Sequence, residues 1–159
     1  MKKQLITGIL TALLSITASA ETTNFIKIGT AQHTIGAENG TGYNIGYGIT
    51  KITNKNILIG IDFNLDSAKI NKESLTNYSG DLKVGYSFLN KKLGVYTIGS
   101  ALQQSFNNLS GYGFGYGVGV NYKIFNNIFI VAEHKTYSMT NKYTDYDYKN
   151  TGVYLQYNF

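Results

Sequence analysis

Cysteine, proline and tryptophan are absent from this 159-residue chain, and all 14 of its basic residues are lysines. The lack of cysteine excludes disulfides, thiol catalysis, cysteine-ligated zinc and a lipidated N-terminal cysteine. Proline would remove a hydrogen-bond donor from a sheet ladder, so its absence suits long paired strands. No apolar run long enough for a spanning helix follows the first 20 residues, because such a helix needs about 20 apolar residues.

The first 20 residues have the pattern of a cleaved secretory signal peptide. Lys2 and Lys3 form a basic start, residues 5–16 form an apolar core, and the small residues 18–20 provide a cleavage site. An uncleaved anchor is the alternative for so short an apolar stretch. We expect cleavage, and a mature protein that begins near Glu21.

Residues 21–159 are expected to form one domain with little net charge. Without residues 1–20 the chain keeps 12 lysines and nine acids, so the formal net charge is +3 instead of +5. A charge this small, without a basic run, predicts that nucleic acid is not a partner.

Apolar residues alternate with small or polar residues through most of 21–159, and turn residues separate the alternating segments. A period of two indicates half-buried β-strands, and no segment has the period of a helix. The pattern predicts eight strands, at 25–32, 43–50, 57–66, 78–88, 93–104, 112–124, 128–137 and 151–159. The sixth is the clearest, because large residues alternate with four inward glycines that leave room for bulkier side chains opposite.

The fifth predicted strand is the least clear. We place its apolar residues Tyr96, Ile98 and Leu102 outward. That choice leaves Thr97 and Gln103 inside, and a β-bulge would change it.

The links between the predicted strands alternate in length. Those at 51–56, 89–92 and 125–127 are short, and those at 33–42, 67–77, 104–111 and 138–150 are longer. Short periplasmic turns and longer extracellular loops are typical of membrane barrels. Because strands cross lipid only in a closed barrel, the sequence predicts an all-β, closed, antiparallel, eight-stranded transmembrane β-barrel.

Two segments carry a family resemblance, GYGFGYGVGVNYKI at 111–124 and the terminal GVYLQYNF at 152–159. With the N-terminal signal, they make the chain similar to the small eight-stranded outer-membrane barrels of Gram-negative bacteria, the OmpX/OmpA transmembrane-domain type. The resemblance covers essentially all of the mature chain and implies an outer-membrane location. We expect no peptidoglycan-binding domain after the last strand, so cell-wall anchoring is not expected to carry over from the resemblance.

The terminal strand alternates strongly, with large apolar residues at every second position up to Phe159. In the family that the chain resembles, a terminal aromatic strand is read by the barrel assembly machinery. The resemblance therefore implies that this machinery is a partner during biogenesis and that Leu155, Tyr157 and Phe159 form the assembly signal.

Five charged residues have the parity of the barrel interior: Asp62, Asp81, Lys83, Glu133 and Lys135. Counted from the short turns, Asp62, Lys83 and Glu133 lie at a similar depth, and the other two form a second layer. A lysine facing lipid near the bilayer centre costs about 2 to 4 kcal/mol, and an ion inside needs a partner. We predict a neutralised charge network that closes the lumen, with a proton or ion path as the alternative.

The segment 133–136 suggests one enzymatic hypothesis. His134 and Thr136 share a strand face near the outer leaflet, as the histidine and serine of lipid A deacylases do. Glu133 points to the opposite face in this register, and a nucleophile needs its base and orienting group within hydrogen-bond reach. We therefore predict an interfacial His134 and no enzyme.

Metal and cofactor sites are not expected. His33 has no second histidine nearby in the sequence, and residues 145–148 have spaced acids without the twelve-residue calcium pattern.

Outward aromatic residues fall mainly toward the predicted strand ends, as in membrane girdles. They are Tyr43, Tyr78, Phe88, Tyr112, Tyr122, Tyr157 and Phe159. The loop tyrosines Tyr143, Tyr146 and Tyr148 are predicted to be solvated, with carbohydrate stacking as the alternative.

The functional prediction is a non-enzymatic surface protein of the outer membrane. Its loops would support envelope integrity or contact host surfaces, other proteins or lipopolysaccharide, within a shell of outer-membrane lipids. Because this fold serves many functions, a narrow channel and a lipid-modifying enzyme remain the alternatives.

Overall fold

The computed structural model describes residues 21–106 and 109–159, and the predicted signal peptide lies outside the described residues. In the described part of the chain, eight strands follow one another: β1 (Glu21–Ile35), β2 (Glu38–Ile52), β3 (Ile57–Ile70), β4 (Glu73–Phe88), β5 (Leu93–Phe106), β6 (Leu109–Phe125), β7 (Ile128–Asn141) and β8 (Asp145–Asn158). Each strand pairs antiparallel with the next, and β8 pairs with β1. The predicted closed eight-stranded barrel is confirmed.

The strands are staggered around the barrel. Partners followed from Phe25 through each strand in turn lead back to β1 at Ile35, a shift of 35 − 25 = 10 residues. Such a shift means that the strands tilt, and an eight-stranded barrel of this kind is just wide enough for side chains to fill.

The outer surface is apolar and the interior is polar, as lipid on one side requires. Exposed positions alternate with buried ones along the strands, as in β3. The aromatic residues predicted to form girdles are all exposed on the outer surface. None of the described segments forms a helix of the length and apolarity that membrane crossing demands.

The four longer links differ from the prediction in conformation. Strands of 14 to 17 residues extend into them, so that β1 and β2 are separated by residues 36–37 and β3 and β4 by residues 71–72. Positive φ angles at Gly36, Asn71 and Lys72 form these tight turns. The extensions exist because inward apolar residues continue the alternation past the span, so the predicted loops are mainly β-hairpins. We call this end of the barrel the loop end, and the opposite end, with residues 53–56, 89–92 and 126–127, the turn end.

The predicted facing of the fifth strand is wrong. Tyr96, Ile98 and Leu102 are 4%, 3% and 4% exposed and point inward, whereas Thr97 and Gln103 face outward. The pairing of β5 with both neighbours is continuous, so no bulge is involved. The observed facing of β5 is favoured over the opposite one because it fills the lumen with large side chains and leaves small ones on the lipid face.

The inward glycines of β6 face large side chains, which confirms the predicted packing. A Cβ atom at Gly119 would lie 2.4 Å from the Tyr96 ring, and one at Gly115 would lie 2.4 Å from the ring of Tyr137. The barrel is therefore filled by alternating small and large residues on adjacent strands.

Two apolar clusters occupy the ends of the lumen. The loop-end cluster contains Ala68, Ile70, Leu75, Leu102, Tyr137, Met139 and Tyr148. The turn-end cluster contains Leu58, Tyr96 and Ile98, with Ile52 packed against it. The buried charged residues Asp62, Asp81 and Glu133 lie between these clusters, whereas buried polar residues such as His33 and Ser87 lie nearer the two ends.

Candidate functional site

Charged side chains meet in the middle of the lumen. Asp62, Asp81, Lys83, Glu133 and Lys135, the residues expected there, are all buried, with exposed fractions between 0% and 4%. They project from β3, β4 and β7, because each has the inward parity of its strand. Together with Lys27 of β1, we call them the lumen charge layer.

Glu133 is the centre of this layer. One carboxylate oxygen, Oε1, accepts hydrogen bonds from Lys83 Nζ at 2.5 Å and from the Tyr96 hydroxyl at 2.9 Å. The other, Oε2, accepts from Lys27 Nζ at 3.2 Å. Asp62 Oδ2 lies 3.1 Å from Lys83 Nζ and 2.7 Å from Lys27 Nζ. Two acids and two lysines thus neutralise each other across the lumen.

Asp81 and Lys135 form the second part of the layer. Lys135 Nζ donates to Asp81 Oδ2 at 2.7 Å, and the Ser100 hydroxyl donates to Asp81 Oδ1 at 2.5 Å. Asn64 Nδ2 also donates to Asp81 Oδ2, at 3.0 Å. The grouping by depth that the sequence predicts therefore matches the ion pairs.

Sequence reasoning missed Lys27 and the Tyr96 hydroxyl as members of this network. Lys27 has inward parity on β1, so a search for cations on that face would have found it. The sequence pattern hides the role of Tyr96, because hydrophobicity alone places this residue on the outer face of its strand.

A second polar network lies at the loop end and contains His33. His33 Nδ1 is 2.6 Å from the Tyr148 hydroxyl, which accepts a hydrogen bond from Asn77 Nδ2 at 2.7 Å. Gln104 Nε2 donates to Asn77 Oδ1, and the Tyr146 hydroxyl donates to Gln104 Oε1. Burial raises the pKa of the Tyr146 phenol, which favours the neutral donor. The chain of hydrogen bonds ties four strands together beside the loop-end cluster.

His134 lies on the outer surface, as expected, but its partner is on the neighbouring strand. His134 Nδ1 is 2.7 Å from Thr151 Oγ1. Glu133 points into the lumen, and no described hydrogen bond or ion pair joins His134 to a carboxylate. A base and a hydroxyl are therefore adjacent without an acid that would orient the base.

The remaining expected residues are placed as follows. Leu155, Tyr157 and Phe159 are exposed on the outer surface, with the Tyr157 and Phe159 rings 6.3 Å apart. Tyr143 is exposed at the β7–β8 tip and Tyr146 is half-buried. The prediction of a solvated Tyr148 is wrong, because this residue has the inward parity of β8 and is fully buried in the loop-end cluster. Within the described residues, no group of three His, Cys, Asp or Glu side chains is arranged to hold a metal.

Solved structures with the same fold come from outer-membrane proteins and from design. Neisserial surface protein A is 14% identical, with 89% of this chain and 100% of that chain covered and a TM-score of 0.59. Ail, the attachment invasion locus protein of Yersinia pestis, is 18% identical, with 87% and 99% covered and a TM-score of 0.60. Ail is also known in complex with the heparin analogue sucrose octasulfate.

A structure from de novo design of transmembrane β-barrels is 14% identical, with 86% of this chain and 95% of that chain covered and a TM-score of 0.53. No protein-family model and no curated protein matches the chain. The chain therefore has the fold of the small eight-stranded outer-membrane barrels, and its activity has to be argued from its own residues.

Proposed function

We propose that the protein is a non-enzymatic surface protein of the outer membrane, and that it acts through the loop end of a barrel closed to solutes. The observation that carries this proposal is the filling of the lumen. The lumen charge layer lies between two apolar clusters, so a solute would meet two apolar barriers and one ion-paired barrier in series.

The loop end supports a contact role. Strands of up to 17 residues exceed the 9 to 11 that a bilayer crossing needs. The extra length carries the hairpins away from the apolar band as ordered β-structure. An ordered rim loses less conformational entropy on binding than flexible loops would.

The β7–β8 tip is the most distinctive part of this rim. The Asn141 side chain accepts hydrogen bonds from the backbone amides of Tyr143 and Thr144 at 2.8 and 2.9 Å, which fixes the turn. Tyr143 is 71% exposed, and Lys142 Nζ lies 5.7 Å from the centre of its ring. An exposed aromatic ring beside a cation suits contact with sugars or with protein surfaces.

The charge at the loop end helps to define the partner. Lysines 69, 72, 142 and 149 are matched in the sequence by Glu38, Glu73, Asp145 and Asp147. A balanced rim does not favour a densely sulfated ligand such as the heparin analogue that Ail binds. Lipopolysaccharide sugars, or a host surface of mixed charge, fit it better.

The test uses cells that express the full chain, a tip variant with Lys142→Gln and Tyr143→Ala, or a control with Asn54→Ala at the turn end. Attachment to host-cell monolayers, retention of purified lipopolysaccharide and resistance to detergent are measured at equal amounts of folded barrel. We expect the wild type and the control to exceed cells without the protein, and the tip variant to lose most of the gain. Equal results for wild type and empty cells in all three assays would contradict the proposal.

A further inference from the structure

The charges of the mature chain are distributed unevenly between the two ends of the barrel. The turn end carries Lys51, Lys55, Lys91, Lys92 and Lys123, and Glu21 is the one acid in the sequence of that end. Four lysines and four acids balance at the loop end. In the lumen, three lysines meet Asp62, Asp66, Asp81 and Glu133. The net positive charge of residues 21–159 therefore resides at the turn end.

Three of these lysines surround a recess. The turn between β4 and β5 supplies Lys91 and Lys92, and the end of β6 supplies Lys123. The backbone amide of Lys123 donates to the carbonyl of Lys92 at 2.7 Å, which fixes the two segments beside each other. The recess has a volume of about 800 Å³.

The other side chains that line the recess are uncharged, and they include polar residues as well as the apolar Ile52, Ile124, Phe125, Phe129 and Phe159. Asn90, Asn126 and Asn127 are among the polar residues. Lysine ammonium groups and amide N–H groups are donors, and several donors around one opening suit an anion with several acceptor oxygens. A phosphate group has these properties.

The position of the recess identifies the source of the phosphate. Exposed aromatic residues surround the same end of the barrel, among them Tyr86, Phe88, Tyr122, Tyr157 and Phe159. Such residues lie at the boundary between hydrocarbon and headgroups. The lysines lie just beyond this boundary, at the depth of lipid phosphates.

We propose that the turn-end lysines form a binding surface for anionic phospholipid headgroups in the leaflet that the turn end faces, with Lys91, Lys92 and Lys123 holding one headgroup phosphate at the recess. The inference rests on the membrane location in the proposed function, but not on the surface role. The attraction is electrostatic, so it weakens as the ionic strength rises.

The experiment uses protein purified from membranes of cells that express the full chain and transferred into nanodiscs of phosphatidylcholine and phosphatidylglycerol. Native mass spectrometry measures which lipid remains bound. The test variant is Lys91→Asn, Lys92→Gln and Lys123→Gln. The control is Lys72→Asn, Lys69→Gln and Lys149→Gln, which removes the same charge from the loop end. Asparagine is used at positions 72 and 91 because both have a positive φ.

We expect the wild type and the loop-end control to retain phosphatidylglycerol over phosphatidylcholine. In the turn-end variant, the preference for phosphatidylglycerol should fall about fivefold for each lysine removed. Equal preference in both triple variants would overturn the proposal, as would no preference in the wild type. Loss of the wild-type preference on adding millimolar inorganic phosphate, but not an equal ionic strength of chloride, would also overturn it, by indicating a site for a soluble anion.

Folding is checked on gels, where the heated, unfolded protein migrates more slowly than the folded barrel. If the triple variant does not fold, single substitutions at Lys92 and Lys123 replace it. The outcome is separable from the proposed function. If the lipid preference is absent, the lipid proposal fails. Attachment and detergent resistance in cells still test the proposed function separately.

Discussion

At the scale of single residues, Glu133 contributes most to the closure of the lumen. It forms ion pairs with Lys27 and Lys83 and accepts a hydrogen bond from the Tyr96 hydroxyl. Its Oε2 atom also lies 3.8 Å from Lys135 Nζ. Burying a charge is costly, and the cost is recovered only while every member has its partner. The layer therefore depends on complete neutralisation more than on any one ion pair.

Replacing Glu133 with Gln should destabilise the barrel by about 3 to 5 kcal/mol, because it leaves two buried lysines short of a carboxylate. The measurement is the free energy of unfolding in urea from lipid vesicles. Adding Lys83→Gln to the same chain should recover part of the loss, since it removes one of the uncompensated charges. An unchanged urea midpoint in Glu133→Gln would show that the layer contributes no stability.

Gly119 is the second residue whose identity is dictated by its neighbours. Gly119→Ala places a methyl group against the Tyr96 ring and should cost about 1 to 3 kcal/mol. Gly99→Ala is the matched control, because its methyl group meets nothing within 4 Å. Adding Tyr96→Leu should relieve part of the Gly119→Ala defect. Equal unfolding free energies for the two alanine variants would contradict this packing.

At the scale of strands, the facing of β5 can be tested directly because the chain has no cysteine. Thr97→Cys should react with a membrane-soluble maleimide at least about tenfold faster than Ile98→Cys, since position 98 is buried in the lumen. Labelling is measured by mass spectrometry on folded protein, with unfolded protein in urea as the control for intrinsic reactivity. Faster labelling at position 98 would restore the facing that the sequence suggests.

The sequence predicts where the strands lie better than it predicts which face of each strand points into the lumen. Alternation identifies β6 and β8 because one parity is large and apolar throughout. On β5 the large residues have inward parity and the lipid face is small, so hydrophobicity alone selects the wrong face. The choice is settled by partners far away in the sequence, such as Glu133 for Tyr96, and one strand carries no information about them.

The hairpin extensions and the recess also depend on contacts between residues that are distant in the sequence. Ile70 and Leu75 continue the inward parity, but they lie beside polar turn residues, so the segment reads as a loop. Parity and depth correctly grouped Asp62 with Lys83 and Asp81 with Lys135. They did not provide the recess between Lys92 and Lys123, because it depends on two hairpins being adjacent.

At the scale of the whole molecule, three parts of the barrel have different roles: the outer band, the lumen and the two ends. The outer band meets lipid, the filled lumen stabilises the barrel, and the two ends differ in charge and in shape. A designed barrel shares the fold, so the fold itself accounts for insertion and stability but not for a biological role. The specific features of this chain are at its ends.

The filled lumen predicts that the protein does not conduct ions. In planar bilayers the wild type should give no discrete current steps, and Leu58→Ala should also remain closed. That variant thins only the turn-end cluster, while the lumen charge layer and the loop-end cluster still block the path. An open porin inserted under the same conditions is the positive control. Reproducible steps in the wild type would favour the channel hypothesis, and steps in Leu58→Ala alone would mean that the turn-end cluster is the only effective barrier. Silence in both would fit three barriers in series, each of which excludes water or binds its ions too tightly for passage.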